Sequence, residues 1–487
     1  MPHGLDTMTT QGTPLVKTPS GLRTLLRDGF ERYGAPLALG VAFFLPLKLA
    51  LAYLFLLPLN VLWLARLILT RRLTIAQATP VKALLFFLLL VALSALAGLD
   101  PLRSASKMLR FTFYSLTVFA FAELRGANVL RILGALILGQ TVAALHSVTG
   151  AVFPALPSFF LGAVSESGQL GMTILIALGV AFALNRRAVK AALHDESGAS
   201  SLRYRQERRH AVLLGSLNFL LLLSVGFGND VALQGSSFRI AALSAVCSSL
   251  LALVTTLQLN RLKIPHLPKV FFLIAFVLPY LATALLVNLK RGPWLGVFIG
   301  GLVLLTLHAR RYLIPLIITA VLLIVSIAPL RNRISESSEH FFIAGGRQVI
   351  WQIGGELALR YPLGIGYENS PILRRFSPEI PPELIHFHNN LLQVVVESGW
   401  LALGVYLWWI VSVVRLACQP HHSKSESLVC AAIGCAVIAW QTAGLVEYNL
   451  GDSEVALVAF LAIGLMLKLK VGHSARTHES PSSARLR

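Results

Sequence analysis

Apolar runs of about 15 to 22 residues, most of a membrane span in length, follow one another from residue 36 to residue 467 with polar connections between them. They fall near 36–50, 51–69, 81–98, 109–123, 129–148, 169–185 and 211–228. Seven more lie near 238–258, 269–289, 294–308, 312–329, 391–414, 428–446 and 454–467. A helix crossing the hydrocarbon core needs about 20 largely apolar residues. The fourteen runs predict an all-α polytopic membrane protein with about twelve crossing helices, within a range of 12 to 14. Several runs fall short of a full span, so one pair is read as re-entrant or interfacial.

Five regions follow: a tail over 1–35, a first helical bundle over 36–329, a long loop over 330–390, closing helices over 391–467 and a second tail over 468–487. Residues 1–35 lack an apolar core with a small-residue cleavage site, so they read as a tail rather than a removable signal. Within the loop, 341–360 sets Phe341, Phe342, Ile350, Trp351, Leu357 and Leu359 among Arg347, Glu356 and Arg360. That spacing predicts an amphipathic helix lying on the membrane surface or packed on the bundle. The following Pro362, Gly364, Gly366, Pro371, Pro378, Pro381 and Pro382 predict an irregular stretch.

With 55% hydrophobic and 13% charged residues, the chain is too apolar for a soluble enzyme. The net charge of +20 sits in clusters between apolar runs, including seven Lys/Arg within 186–209. Basic connections face the cytoplasm, which accounts for the charge without nucleic acid and sets both termini inside. The loops 149–168 and 447–453 then face outward, as does 330–390, whose six arginines and six glutamates cancel. Four scattered cysteines predict neither a disulfide framework nor a cysteine metal site.

Against this topology two arginines stand on the outer side: Arg239 in Phe238-Arg239-Ile240, and Arg291 in Lys290-Arg291-Gly292-Pro293-Trp294. Fixed guanidinium charge at a membrane surface suits phosphate oxygens, although such residues also snorkel to lipid headgroups. A second group is His386-Phe387-His388-Asn389-Asn390, where the long loop re-enters the membrane. An imidazole there can take a proton from a sugar hydroxyl. Alternatively, the histidines satisfy the loop-to-helix junction and Asn389 caps the helix. A His-x-His pair without a third ligand is weak ground for zinc. Arg347, Arg360, Arg374 and Arg375 are candidates for phosphates or headgroups, with ion pairing to loop glutamates as the ordinary alternative. Glu368 is a weaker candidate, and Glu397 reads as support inside the membrane.

Taken in order, Arg291-x-x-x-Leu295, Tyr361-Pro-Leu-Gly-Ile-Gly366 and His388-Asn389 with Gly399 resemble the O-antigen ligase and polymerase (WaaL/Wzy) superfamily. The ligase pattern ends on Gly, Thr or Tyr where this chain has Ala402. The resemblance covers the layout of roughly 36–470, with motifs only from about 239 to 404. It implies a GT-C-like bundle in a bacterial inner membrane with the site on the periplasmic face. It further implies transfer of O-antigen glycan from undecaprenyl diphosphate to lipid A core oligosaccharide, with no cofactor; on mechanistic grounds the reaction is expected to be metal-independent, with arginines in the metal's place, and inverting, because the attack is direct. Arg239 and Arg291 would then bind the diphosphate and His388 would act on the acceptor hydroxyl. His386, Asn389, Arg347, Arg360 and Glu368 would stand near the acceptor or support the site. A polymerase, a protein O-oligosaccharyltransferase and, from another class, a membrane transporter are the competing readings.

Overall fold

Each apolar run becomes a helix, and no strand occurs among the described residues. A computed structural model describes residues 20–152, 162–193, 199–228, 236–262, 264–342, 346–370, 386–421 and 423–471. Sixteen α-helices occur among the described residues. The first eight are α1 (Ser20–Phe44), α2 (Leu49–Thr70), α3 (Thr79–Ala97), α4 (Pro101–Ala122), α5 (Val129–Val152), α6 (Ala163–Leu193), α7 (Ala199–Gly226) and α8 (Ser236–Leu259). Then come α9 (Leu267–Val287), α10 (Arg291–His308), α11 (Leu313–Ser326), α12 (Ala328–Phe342) and α13 (Arg347–Arg360). The chain closes with α14 (Asn390–Cys418), α15 (Lys424–Ala443) and α16 (Ser453–Val471).

Ten of these helices are long and apolar enough to cross a membrane, or eleven if α11 and the start of α12, bent by 89°, count as one span. The shortfall from twelve has local causes. At 14 residues α11 is short, and α4 carries Arg103, Lys107 and Arg110 on its first turns. The apolar run predicts a start at 109; Asp100 starts the helix earlier, its side chain accepting from the Arg103 N–H at 3.1 Å ahead of Pro101 at the first helical position.

The bundle is layered by hydrophobicity. Residues 455–467 of α16 are buried on every side, packed against α4, α6 and α15, as a helix apolar all round must be. Around it α6 packs on α15, α15 on α10, and α3 on α14, while α7 and α8 form a peripheral pair. Within α9, Pro279 has no N–H for the carbonyl of Ala275, and the helix passes through a π turn at Leu273–Val277. Asn218 donates to that carbonyl instead at 3.1 Å, held in turn by the Ser249 hydroxyl at 3.0 Å.

The stretch expected as one amphipathic helix over 341–360 is divided. Helix α12 runs to Phe342 and α13 begins at Arg347. Ile350, Leu357 and Ala358 of α13 are buried against Phe387, Val395 and Val396, so α13 packs on the bundle, one of the two placements expected for it. Both chain ends, with most of the Pro-rich stretch after 370, lie outside the described residues.

Candidate functional site

The histidine segment is held by its backbone, which leaves its rings free to face a cavity. Phe387 is fully buried; its N–H donates to Gln393 Oε1 at 2.9 Å and its carbonyl accepts from Trp351 Nε1 at 2.8 Å. Asn389 caps α14 through the N–H groups of Leu391 and Leu392 at 2.9 and 3.0 Å. Asn390 clamps the turn between α15 and α16: its N–H donates to Gly444 O at 2.6 Å, its amide to Asn449 Oδ1 at 2.7 Å, and its Oδ1 accepts from Leu450 N–H at 3.1 Å. His388 itself has a positive φ of 50°, a conformation uncommon outside glycine. The rings of His386 and His388 meet edge to face with centroids 4.2 Å apart.

The Tyr361–Gly366 stretch explains the kink below the histidines. Ile365 N–H donates to Val396 O at 2.9 Å, Gly366 N–H to Glu397 O at 3.0 Å and Trp400 N–H to Pro362 O at 3.1 Å. These bonds need the helix to open at Gly399, where φ is 87° and an added Cβ would sit 2.5 Å from Pro362 O. Across the contact Gly364 has φ 90° and no room for a Cβ beside Glu397 O. Glu397 is buried and accepts from Gln393 Nε2 at 2.7 Å and Ser370 N–H at 3.3 Å, which makes it a support.

His386 and His388 face a cavity of about 960 Å³ at one end of the bundle. Its wall carries seven cationic side chains against four carboxylates. Lys290, Arg291, Arg333 and Arg347 come from α10, its entry, α12 and α13; Arg103, Lys107 and Arg110 come from α4. The guanidinium of Arg291 donates to Arg333 O at 3.1 Å. Arg347 reaches Glu447 at 3.4 Å, and the other oxygen of Glu447 lies 3.7 Å from His388 Nδ1, an ionic distance longer than a hydrogen bond. Glu368 pairs with Lys107 at 3.0 Å.

Burial and neighbours set the charge states here. His386 is pushed down to about 4 by burial, then by His388, so it is neutral at pH 7. Burial pushes Glu447 up, but the facing His388 and the charges of Arg347 and Lys290 outweigh it, and its carboxyl lies below the usual range. Burial and then the neighbouring Glu454 push Asp452 up. The cavity is therefore more positive than a count of its carboxylates suggests.

A second cavity of about 920 Å³, almost wholly apolar, runs beside the first between α10 and α11. Leu295, Phe298, Leu316, Ala320 and Ile324 are among its lining residues, and Arg291 and Arg347 stand on the wall of both cavities.

Of the residues singled out from sequence, Arg291, Arg347, Glu368, His386 and His388 line the polar cavity, and Asn389 positions it as a cap. Arg239 lies exposed on the first turn of α8 and does not line it. Arg360 ends α13, stacked 5.7 Å from the ring of Tyr361, and is likewise off the wall. Arg374 and Arg375 lie outside the described residues. Sequence reasoning missed Glu447, whose contact with His388 spans two helices. It also missed the α4 cations, although their spacing at 103, 107 and 110 marks one helical face.

Comparison with known proteins adds a family to this geometry. Residues 274–407 match the family model for O-antigen ligase. The matched segment runs from α9 through Arg291, α12 and α13 to His388 and the first half of α14. It contains Arg291 and Arg347, which line both cavities, but neither α4 nor the turn bearing Glu447. A Rickettsia felis protein provisionally named a polysaccharide ligase is 22% identical over 273 residues, which is 50% of this chain. The chain spans 63% of that relative's length.

Proposed function

We propose that the protein is an O-antigen ligase that transfers a glycan from undecaprenyl diphosphate to a hydroxyl of the lipid A core oligosaccharide, at the periplasmic face of the inner membrane. The observation that carries this reading is the placement of Arg291 and Arg347 on the wall shared by a cationic cavity and an apolar one. A polyprenyl diphosphate presents those two chemistries at one junction: an apolar chain and a dianionic head that planar guanidinium groups fit.

In this mechanism the apolar cavity takes the first isoprene units. Arg291, Arg347 and Lys290 hold the diphosphate. The acceptor oxygen attacks the anomeric carbon from the face opposite the diphosphate, the glycosidic C–O bond breaks, and its electron pair leaves on the diphosphate oxygen. Preorganised cations stabilise the charge that grows there. The proton of the acceptor hydroxyl passes to His388, and the ionised Glu447 supports the imidazolium that forms. One displacement inverts the anomeric configuration. Arg239, which is exposed and not on the cavity wall, has no role in the chemical step of this scheme.

Transfer in liposomes tests the reading. Purified protein, a glycan on undecaprenyl diphosphate and lipid A core should yield glycosylated lipid A core. Elongation of the lipid-linked glycan without modification of lipid A core would replace the ligase reading by a polymerase.

A further inference from the structure

The scheme above uses one side of the cavity and leaves the α4 side unexplained. Arg103, Lys107 and Arg110 follow one another at intervals of four and three, so they form a row on one face of α4 about 10 Å long. All three line the cavity. The Arg103 Nε–H is buried and meets no acceptor among the described residues. Lys107 has Glu368 at 3.0 Å, and Arg110 is exposed. Desolvating a guanidinium donor without an acceptor is unfavourable, so the Arg103 end of the row marks a place where an anion completes the hydrogen bonding.

The row and the donor arginines stand at opposite ends of a chain of contacts through the histidines. Arg347 pairs with Glu447, which faces His388; His388 meets His386, which packs on Tyr448 with ring centroids 5.5 Å apart. Tyr448 sits against Tyr367, whose neighbour Glu368 pairs with Lys107. Helix packing agrees: α15 lies on α10, α16 lies on α4, and the turn joining α15 to α16 carries Glu447 and Tyr448 between the two sides.

We infer that the α4 row is the subsite for the second substrate, and that it holds phosphate groups on the sugars of an acceptor glycolipid. A row this long fits a ligand with more than one phosphate, and two arginine forks suit phosphate oxygens. The inference rests on the glycosyl-transfer reading, because it assigns the histidines to the gap between donor and acceptor. Lys107 is released from Glu368 as the acceptor phosphate arrives.

The test compares wild type with Arg103→Gln, Lys107→Gln and Arg110→Gln in nanodiscs, after thermal unfolding confirms each fold. Two probes are used: lipid A core bearing phosphates on its core sugars, and the same glycolipid with those phosphates removed. Each substitution should raise the KM for the phosphorylated acceptor about tenfold, one charge-assisted contact's share, with the KM for the undecaprenyl-diphosphate donor unchanged. Wild type should prefer the phosphorylated acceptor and the variants should lose that preference, while Lys107→Arg retains it. An unchanged acceptor KM, or a rise in donor KM instead, overturns the assignment. Binding of the two acceptors without donor separates this from the parent reading. Phosphate-dependent binding lost in the variants upholds the subsite even if wild type transfers nothing; binding that ignores the phosphates overturns it even if transfer proceeds.

Discussion

His386 shows how a single side chain ties this site to pH. Its folded value of about 4 lies below the ordinary histidine value of about 6.5, so between those values the unfolded chain binds a proton that the native chain does not. Stability contributed by the neutral ring is complete above about pH 6.5 and is lost as pH falls toward 4. Thermal unfolding in nanodiscs should therefore show wild type losing more stability than His386→Gln between pH 7 and pH 5; equal losses would mean that the ring is protonated in the fold. Gly399 makes a second prediction. Its φ of 87° and the 2.5 Å approach of an added Cβ to Pro362 O leave no room for a side chain. Gly399→Ala should cost about 1–3 kcal/mol or more, read as a lower unfolding midpoint. These residues were visible in the sequence as motif positions, but the reason for them was not. The glycines serve an exchange of hydrogen bonds between the Tyr361–Gly366 stretch and an opened helix. Glu447 had no motif at all, because its partners His388 and Arg347 lie 59 and 100 residues away in the chain.

Among the elements, apolar runs located the helices well where packing and lipid both demand hydrophobicity. They failed where a helix carries function. The first turns of α4 read as a connection because Arg103, Lys107 and Arg110 interrupt the run, yet those turns form cavity wall. The amphipathic pattern of 341–360 left the partner of α13 open between lipid and bundle, because its apolar side meets Phe387 and Val396, a contact no local periodicity reveals. Away from the cavity, α2 and α4 are joined by a network built around the buried Arg66–Glu123 pair. Arg66 donates to Glu123 at 2.8 Å, Trp63 donates to the same oxygen at 3.0 Å, and the Thr74 N–H and hydroxyl donate to the other oxygen at 2.6 and 2.7 Å. Removing the carboxylate strands a buried guanidinium and three further donors. Glu123→Ala should thus destabilise the fold by about 3–5 kcal/mol, and the unfolding midpoint checks it; a change under about 1 kcal/mol would mean that water reaches the network.

Across the bundle, the polar and apolar cavities lie side by side with Arg291 and Arg347 between them. No stretch of sequence foretold this, since α6, α10, α11, α13 and the turn after α15 all contribute to the walls. If the apolar cavity holds the polyprenyl chain, filling it should matter only when a chain is present. Ala320→Trp should raise the KM for an undecaprenyl-diphosphate donor and leave that for a short-chain prenyl analogue unchanged; equal effects on both would place the lipid elsewhere.

Cationic donor binding and proton transfer are assigned to different residues of one cavity. Single-turnover glycan transfer from undecaprenyl diphosphate to lipid A core, with donor binding measured in parallel, separates them. His388→Ala should bind donor normally and transfer about 100- to 10 000-fold more slowly. Arg291→Ala should lose donor binding as well as rate, by about 100-fold or more. Transfer by folded His388→Ala at the wild-type rate, or undiminished donor binding by Arg291→Ala, would contradict that assignment.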